Sequence, residues 1–292
     1  MENPSTDTIY EDGIAFDEGS EMHDPNLYRA ARIATRHDGL DSVDDAAVEE
    51  YHRTGFLAIE NAFAADEVRA ALDGLIRLIM GEEPEFKGIW FESKAKEILP
   101  TLNADQRQDA VRKLGFFVDH DPGLNAMANH PKLLPILERL IGGTPTLFQD
   151  MALIKPPRLG REKPWHQDHA YFAYPIGTRI AGVWIALDEA TVENGCMHLL
   201  EGGHKLGPKI HFKRRDWQIC DDEMMGCEAV AIPLKPGGLL LFDGLLPHGT
   251  PHNNSDQRRQ AVQYHYAPDI AQKVEDEYRL RIFGSEGKEV TC

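Results

Sequence analysis

Cysteine is scarce in this 292-residue sequence, and long apolar runs are absent. The four cysteines form no CxxC pair and match no zinc-site spacing, so we expect reduced intracellular thiols. No apolar run reaches the length of about 18 residues that a membrane-spanning helix requires. The N-terminus lacks the basic and then apolar layout of a secretory signal, and the C-terminus matches no peroxisomal or reticulum-retention signal. These absences predict a cytoplasmic protein.

Basic residues are also in short supply. Lysine and arginine together number 31 against 48 acidic residues, which gives a net charge of −17. Such a charge opposes binding to nucleic acid and to anionic membrane surfaces, so we expect neither as a partner. The 42% hydrophobic and 27% charged residues are typical of a globular protein that can bury a full core.

The first 42 residues differ from the rest of the chain. They are rich in Asp, Glu, Ser and Gly and show no helical or strand periodicity. We predict an acidic N-terminal extension over residues 1–42, either wrapped on the surface or disordered. We predict a single domain over residues 43–292, because no linker and no internal repeat divides that segment.

The front half of this domain has mainly helical signals. Apolar residues recur at the helical spacing, most clearly in the segment that Ala64 opens. Residues 82–112 have a mixed pattern, in which we expect helices and an insertion. The expected helices of this half begin near residues 42, 64, 124 and 133, and its expected strands are 56–60 and 113–117.

From Thr144 onward, strand-like runs alternate with turns of Gly, Pro and Asn. Many short strands behind a helical front half are typical of an α+β domain with a β-sandwich or barrel at its centre. The expected strands are 147–154, 179–187, 196–200, 229–233, 239–242 and 260–266.

A short stretch within this half, Trp165 to His169, contains the metal-binding candidates His166 and Asp168. Residues i and i+2 of an extended strand point to the same face, so both side chains can reach one metal ion. Tight binding needs a third ligand, for which we select His248. Two histidines and one carboxylate, with the remaining metal positions open, form the facial triad of non-haem Fe(II) oxygenases.

These residues belong to a longer pattern. His248 is followed by a glycine, and Arg259 lies 11 residues after it. In this setting, segment 144–268 resembles the phytanoyl-CoA dioxygenase family of Fe(II)- and 2-oxoglutarate-dependent oxygenases. The other segments that match the family are 149–151, 155–157, 165–168, 182–188, 193–197, 201–205 and 254–255.

The resemblance implies a double-stranded β-helix, also called a jelly roll or cupin-like fold, with flanking N-terminal helices. It implies that His166, Asp168 and His248 hold Fe(II), and that 2-oxoglutarate and O2 are the cosubstrates. Arg259 stands at the family position for the far carboxylate of 2-oxoglutarate, which the guanidinium fork suits. Arg258 points to the opposite face of a strand, and apolar periodicity does not distinguish between the two arginines.

The family implies further cosubstrate contacts. Lys113, Met151 and Trp184 match its cosubstrate-lining positions, and Gln149 is an additional polar candidate. Core packing is the alternative role for Met151 and for Trp184.

Three other histidines are not expected to bind the metal. His169 points away from His166 in an extended strand, which predicts a solvated or ligand-supporting role. His252 lies in a proline-rich turn and is the weaker alternative to His248. His265 is expected to be a core residue with satisfied hydrogen bonds.

The resemblance implies an enzyme that hydroxylates an unactivated C–H bond of a small or medium-sized organic molecule. In the related halogenases a small residue replaces the carboxylate ligand, so Asp168 favours hydroxylation. Desaturation, cyclisation and epoxidation use the same cofactors and remain alternatives, as does a non-catalytic jelly-roll binding protein. A zinc hydrolase is a further alternative that lacks an evident general base. Family members occur as monomers and homodimers.

The sequence allows two alternative kinds of substrate, an anionic one and one that binds in an apolar pocket. Segment 205–215 contains five basic residues and a histidine, which favours an anionic substrate if the segment is not simply a solvated loop. An apolar pocket is the alternative, and we expect Tyr171 or Phe172 to face the substrate. The aromatic residues considered for that pocket are Trp90, Phe91, Tyr171, Phe172 and Tyr174.

Overall fold

The computed structural model describes residues 14–17, 21–92, 95 and 97–284. Seven α-helices and sixteen β-strands are present in these residues. The helices are α1 (Asp45–Thr54), α2 (Ala65–Met80), α3 (Ala104–Ala110), α4 (Pro122–Ala128), α5 (Leu133–Ile141), α6 (Asp221–Met224) and α7 (Asp276–Phe283). The first eight strands are β1 (Ile14–Asp17), β2 (Ala30–Ile33), β3 (His37–Asp38), β4 (Phe56–Glu60), β5 (Ile89–Glu92), β6 (Val111–Gly115), β7 (Pro145–Lys155) and β8 (Lys163–His166). The others are β9 (Ala181–Ala186), β10 (Met197–Leu199), β11 (His211–Lys213), β12 (Trp217–Ile219), β13 (Ala229–Ile232), β14 (Leu239–Asp243), β15 (His248–Thr250) and β16 (Arg259–Pro268).

Two sheets form the centre of the fold. The larger sheet has the strand order β1-β5-β6-β7-β16-β9-β14-β4-β3, and the smaller one has the order β2-β13-β10-β15-β8. One face of the larger sheet packs on helices, and its other face packs on the smaller sheet. This arrangement confirms the predicted jelly roll with flanking helices.

Strand β16 shows how the larger sheet separates its two faces. Val262 and Tyr264 lie in the hydrophobic core that includes the helices. Arg259, Gln263 and His265 alternate with them and therefore point toward the smaller sheet. All these side chains are buried, so the polar residues of β16 lie inside the jelly roll rather than in solvent.

Capping residues set the ends of α1. The carboxylate of Asp44 accepts the N–H of Ala47 at the start of the helix. Gly55 ends the helix in the left-handed conformation, with φ of 88°, and β4 begins at the next residue. The predicted helix and strand are therefore both present.

The mixed segment 82–112 was only partly predicted. It contains α3, as expected. Ile89–Glu92, however, forms strand β5 of the larger sheet and not a helix. The four residues of β5 are too few for a strand period to stand out from a helical one. Helix α7 was not predicted, and its apolar residues are sparse.

The first 42 residues take part in both sheets. Strands β1 and β3 pair with β5 and β4 of the larger sheet, and β2 pairs with β13 of the smaller sheet. Leu27 and Tyr28 are buried against Trp165 in a core cluster of their own. The expectation of disorder is therefore wrong for these strands, whereas the surface-wrapped alternative is compatible with their positions at the sheet edges. Residues 1–13 and 18–20 lie outside the described residues, and the boundary between residues 42 and 43 stays a prediction.

The cysteines only partly match the expectation of reduced thiols. Cys196 and Cys227 are free, whereas Cys220 is disulfide-bonded. Spacing along the sequence does not reveal a bond between distant positions, which explains the error. Cys292 lies outside the described residues. The cytoplasmic location stays a prediction.

No helix among residues 14–17, 21–92, 95 and 97–284 has both the length and the apolar character needed to cross a membrane.

Candidate metal and cosubstrate site

Three candidate metal ligands come together between the two sheets. His166 ends β8, His248 begins β15, and the two residues are directly paired across these antiparallel strands. Gln167 keeps an extended backbone, and Asp168 then opens a short 3-10 helix. One ligand atom from each of His166, Asp168 and His248 lies within 4.8 Å of the others, and all three residues are buried.

Hydrogen bonds orient both imidazole rings. Nδ1 of His166 lies 2.7 Å from the carbonyl oxygen of Pro164, and Nδ1 of His248 lies 2.9 Å from that of Leu246. Because a carbonyl can only accept, each Nδ1 carries the proton and each Nε2 keeps its lone pair. The two Nε2 atoms lie 3.1 Å and 3.5 Å from Oδ1 of Asp168. Three electron-pair donors that face one another in a buried space fit a divalent metal ion.

The charges of the site suit a cation. Burial, followed by the nearby His248, lowers the pKa of His166 to about 4, so its imidazole is neutral at physiological pH. Burial alone would raise the pKa of Asp168, but His248 and His265 hold it well below its ordinary value. The site therefore combines a neutral imidazole at His166 with the carboxylate of Asp168.

The second oxygen of Asp168 has its own partners. Nε2 of His265 lies 2.7 Å from Oδ2, and the side-chain amide of Gln263 donates to the same oxygen at 3.0 Å. The expectation that His265 is only a core residue missed this contact. A usable signal was present, because Arg259, Gln263 and His265 have the same parity on one predicted strand.

Arg259 has the properties of a carboxylate-binding residue. Its side chain is 1% exposed and lies over the ring of Trp184, with 5.4 Å from the guanidinium carbon to the ring centroid. Its guanidinium donates to the carbonyl of Leu153 at 3.4 Å, and its Nε has no partner among the described residues. Burial lowers the pKa of Arg259 to about 10. A buried guanidinium that forms no ion pair with a carboxylate of the described residues fits the far end of 2-oxoglutarate.

Arg258 points to the opposite face of β16. Its guanidinium donates to Asp109 at 2.6 Å and to Gln108 at 3.3 Å, outside the jelly roll. The alternation of side chains along β16 thus places Arg258 and Arg259 on opposite faces, a distinction that apolar periodicity in the sequence did not make.

The other cosubstrate candidates lie on the same inner face of the larger sheet. Gln263 is paired with Met151 on one side and with Trp184 on the other. Gln149 is paired with His265, one step further along β7. Their positions are compatible with cosubstrate contact, and the contacts themselves stay predictions.

Lys113 lies farther from the metal ligands than these residues. It is paired with Leu153, on a strand separated from β16 by β7, and its ammonium lies 4.8 Å from the ring centroid of Trp90. One residue on β15 was not considered from the sequence: Thr250 is buried and shares the strand face of His248.

His169 and His252 do not join the ligand group. His169 is buried, its Nε2 lies 3.3 Å from the carbonyl of Tyr174, and its ring stacks on Phe283. A solvated role is therefore wrong for His169. Nε2 of His252 lies 3.0 Å from the carbonyl oxygen of Arg158.

The basic segment 205–215 is largely neutralised by acidic neighbours. Lys209 pairs with Glu223 at 2.9 Å, and Arg214 pairs with Glu21 at 2.7 Å. Arg215 is nearly buried and pairs at 2.6 Å with both Glu162 and Asp221. These pairs make the segment a weak attractor for an anionic substrate.

His211, in the same segment, supports the metal site instead. Its Nε2 accepts the backbone N–H of Gln167, the residue between two candidate ligands, at 3.0 Å. Burial lowers the pKa of His211 to about 3, which keeps the ring neutral and able to accept.

Two aromatic residues pack on histidines of the site. The ring of Tyr171 lies 5.6 Å from that of His166, and its hydroxyl donates to the carbonyl of Trp217 at 2.6 Å. The ring of Phe172 lies 4.8 Å from that of His265.

Comparison with protein families and solved structures identifies the chain. The family model described as phytanoyl-CoA dioxygenase (PhyH) matches residues 51–261. The chain belongs to the phytanoyl-CoA dioxygenase family. A curated relative is phytanoyl-CoA dioxygenase domain-containing protein 1 of Danio rerio, which is 26% identical over 268 residues, 77% of this chain and 90% of the relative.

Two solved structures share the fold of this phytanoyl-CoA dioxygenase family member. EvdO2 from Micromonospora carbonacea var. aurantiaca is 27% identical, with a TM-score of 0.62 over 83% of this chain and 97% of its own. The α-ketoglutarate-dependent carbocyclase SnoK is 21% identical, with a TM-score of 0.64 over 86% and 96%. As a member of the phytanoyl-CoA dioxygenase family, the protein is an oxidoreductase that uses iron, 2-oxoglutarate and O2.

Proposed function

We propose that this protein hydroxylates an unactivated C–H bond of a small or medium-sized organic molecule. In the same turnover, 2-oxoglutarate is oxidatively decarboxylated to succinate and CO2. One observation carries the proposal: His166, Asp168 and His248 converge between the sheets, with both Nε2 lone pairs facing the carboxylate. Membership in the phytanoyl-CoA dioxygenase family supports it.

Each of these residues has a defined role in the proposal. His166, Asp168 and His248 hold Fe(II), and the bound metal supplies the activation of O2 that C–H oxidation needs. Arg259 binds the far carboxylate of 2-oxoglutarate with its buried guanidinium. Burial of the three ligands and of Arg259 excludes water from the reaction centre.

Hydroxylation is one of several outcomes that these cofactors allow. The structural neighbour SnoK is a carbocyclase, so the shared fold also accommodates ring formation. Hydroxylation is preferred here because Asp168 occupies the position that a small residue takes in the related halogenases. The mass of the product separates hydroxylation, which adds one oxygen, from desaturation or cyclisation, which removes two hydrogens.

A titration tests the metal and cosubstrate roles. Under anaerobic conditions, Fe(II) and 2-oxoglutarate added together should produce a visible charge-transfer band, which His166→Ala should abolish. Admission of O2 should then yield succinate, and a panel of acyl-CoAs, amino acids, phosphonates and terpenoid acids should reveal the substrate by increased succinate release. Absence of both the band and succinate would overturn the proposal.

The remaining assignments belong to the same proposal. The partner is a small molecule, the protein is a monomer or homodimer in the cytoplasm, and Lys113, Met151, Trp184 and Gln149 line the cosubstrate. Light scattering of the purified protein measures the oligomeric state, and single alanine variants at the four lining positions measure the KM for 2-oxoglutarate.

A further inference from the structure

Phe116 has an unusual backbone conformation for a bulky residue. It follows β6 with φ of +63°, a region that non-glycine residues rarely adopt, and its side chain is 60% exposed. Phe116 is not buried, and it is not a glycine that would adopt a positive φ without strain. Neither reason therefore explains its conformation. A strained, exposed aromatic residue therefore calls for a role outside the core.

A buried carboxylate holds the turn in place. Asp150 accepts the backbone N–H groups of Phe116 at 3.1 Å, Phe117 at 2.6 Å and Val118 at 2.8 Å. Three hydrogen bonds to one carboxylate offset the strain and fix the direction in which the Phe116 side chain leaves the sheet.

Trp90 lies beside Phe116 and has an unsatisfied donor. The two ring centroids are 6.5 Å apart, with an angle of 52° between the ring planes. Trp90 is 5% exposed, and its Nε1–H has no hydrogen-bond partner within the part of the chain that the structure describes. A buried indole N–H normally has a partner, so an acceptor brought by a ligand would satisfy it.

Strand register connects this pair to the candidate metal site. Gly115, the residue before Phe116, is paired with Met151, which is in turn paired with Gln263. Gln263 donates to Asp168. The ring of Phe116 lies beside that of Trp90. Trp90 is paired with Lys113, which is in turn paired with Leu153, so Trp90 lies on the inner face at three strand spacings, about 14 Å, from β16. That separation suits the remote end of a substrate whose other end reaches the metal.

We propose that Phe116 and Trp90 form a substrate subsite for a planar apolar group that carries a carbonyl or ether oxygen. The ring stacks on the exposed face of Phe116, and the oxygen accepts the Nε1–H of Trp90. The inference rests on the proposed function and names the class of substrate.

The test measures binding of two probes to the protein loaded anaerobically with Fe(II) and 2-oxoglutarate. Naphthalene supplies the planar ring alone, and 2-acetylnaphthalene adds a carbonyl oxygen. Equilibrium dialysis should give a Kd about fivefold lower for 2-acetylnaphthalene, the contribution of one hydrogen bond. Trp90→Phe should abolish the difference, and Phe116→Ala should weaken both probes about tenfold through lost apolar contact.

Two further variants separate a binding role from a structural one. Leu159 is 59% exposed, so Leu159→Ala removes a comparable exposed apolar side chain and should leave both Kd values unchanged. Phe116→Gly permits positive φ without strain, so it should weaken binding without lowering the Tm. A lower Tm with unchanged Kd in Phe116→Gly would overturn the subsite, as would wild-type Kd values in both Phe116→Ala and Trp90→Phe.

Succinate release in the absence of substrate distinguishes failure of the subsite from failure of the proposed function. Wild-type protein that makes succinate but shows no effect of the two aromatic substitutions contradicts the subsite alone. Wild-type protein that makes no succinate contradicts the proposed function, and the pattern of Kd values still decides the subsite.

Discussion

Nε2 of His265 lies 2.7 Å from Oδ2 of Asp168, whereas Nε2 of His166 lies 3.1 Å from Oδ1 of the same carboxylate. The two oxygens thus face different groups: one faces the candidate metal ligands, and the other faces β16. The Nδ1 atom of His265 has no partner in the described residues. Because a carboxylate only accepts, Nε2 of His265 carries a proton and donates it to Oδ2.

Removal of this donor should weaken metal binding. His265→Phe keeps a ring of similar size but leaves Oδ2 with Gln263 as its remaining side-chain partner. We expect the Kd for Fe(II) to rise about tenfold or more, the usual effect of losing a partner that orients a metal ligand. Anaerobic titration measures it, with His252→Phe as the control on a histidine outside the site. An unchanged Kd in His265→Phe would contradict the positioning role.

Loss of the Arg259 guanidinium should affect the cosubstrate and leave the metal in place. In Arg259→Ala the KM for 2-oxoglutarate should rise on the order of 100-fold, because a charge-assisted pair of hydrogen bonds is lost. The Kd for Fe(II) alone should stay within about twofold, since Arg259 touches none of the three ligands. Arg258→Ala is the matched control and should leave the KM unchanged. Loss of iron in Arg259→Ala would be incompatible with the assigned role.

A side chain at Gly182 should damage the core beside the metal site. A Cβ atom there would overlap with the ring of Phe242, which packs 4.7 Å from the ring of His248. Gly182→Ala should therefore lower the free energy of unfolding by about 2 kcal/mol, as overpacking of a core typically does. Urea denaturation measures it, and Gly177→Ala, where a Cβ meets nothing within 4 Å, provides the control. Equal stability of the two variants would refute the expectation.

His198 should make the fold sensitive to mild acid. Burial lowers the pKa of His198 to about 4, so the unfolded chain binds a proton between pH 6.5 and 4 that the folded chain does not. The stability associated with His198 is present above pH 6.5 and is lost as the pH falls toward 4. The loss amounts to about 3 kcal/mol.

The variant that tests this dependence is His198→Asn. Its amide can still donate to the carbonyl of Cys196, which lies 3.1 Å from Nδ1 of His198. Urea denaturation at pH 7 and at pH 4.5 should show a smaller loss of stability in the variant than in the wild type. Equal losses of stability between pH 7 and pH 4.5 in the wild type and in His198→Asn would show that His198 does not cause the pH dependence.

Some contacts of the candidate site were predicted from the sequence and others were not, depending on how far apart the residues lie along the chain. His166 and Asp168 lie two residues apart in one motif, so the sequence places them together by local geometry. His265 meets Asp168 through the register of β16 with its neighbours, and no local pattern contains that register. For the same reason, the sequence favoured Arg259 over Arg258 only through the family spacing, whereas β16 shows that the two side chains point in opposite directions.

The fold shows a similar contrast. Helices α1, α2 and α5 were predicted from apolar periodicity and caps that lie within the segments themselves. The short strands β2 and β5 carry no such internal signal, because partners elsewhere in the chain stabilise them. The acidic composition of the first 42 residues indicated an extension, although several of those residues pair with strands of the central fold.

Strand β2 also constrains the order of assembly. Ala30 is paired with Ala229, so a segment made early in synthesis finds its partner only when most of the chain has left the ribosome. Until then, Leu27 and Tyr28 lack the cluster that buries them. The pairing of β2 with β13 is consequently a late event in the folding of the jelly roll. A nascent chain that stalls before β13 would leave the apolar residues of its N-terminal segment exposed to chaperones.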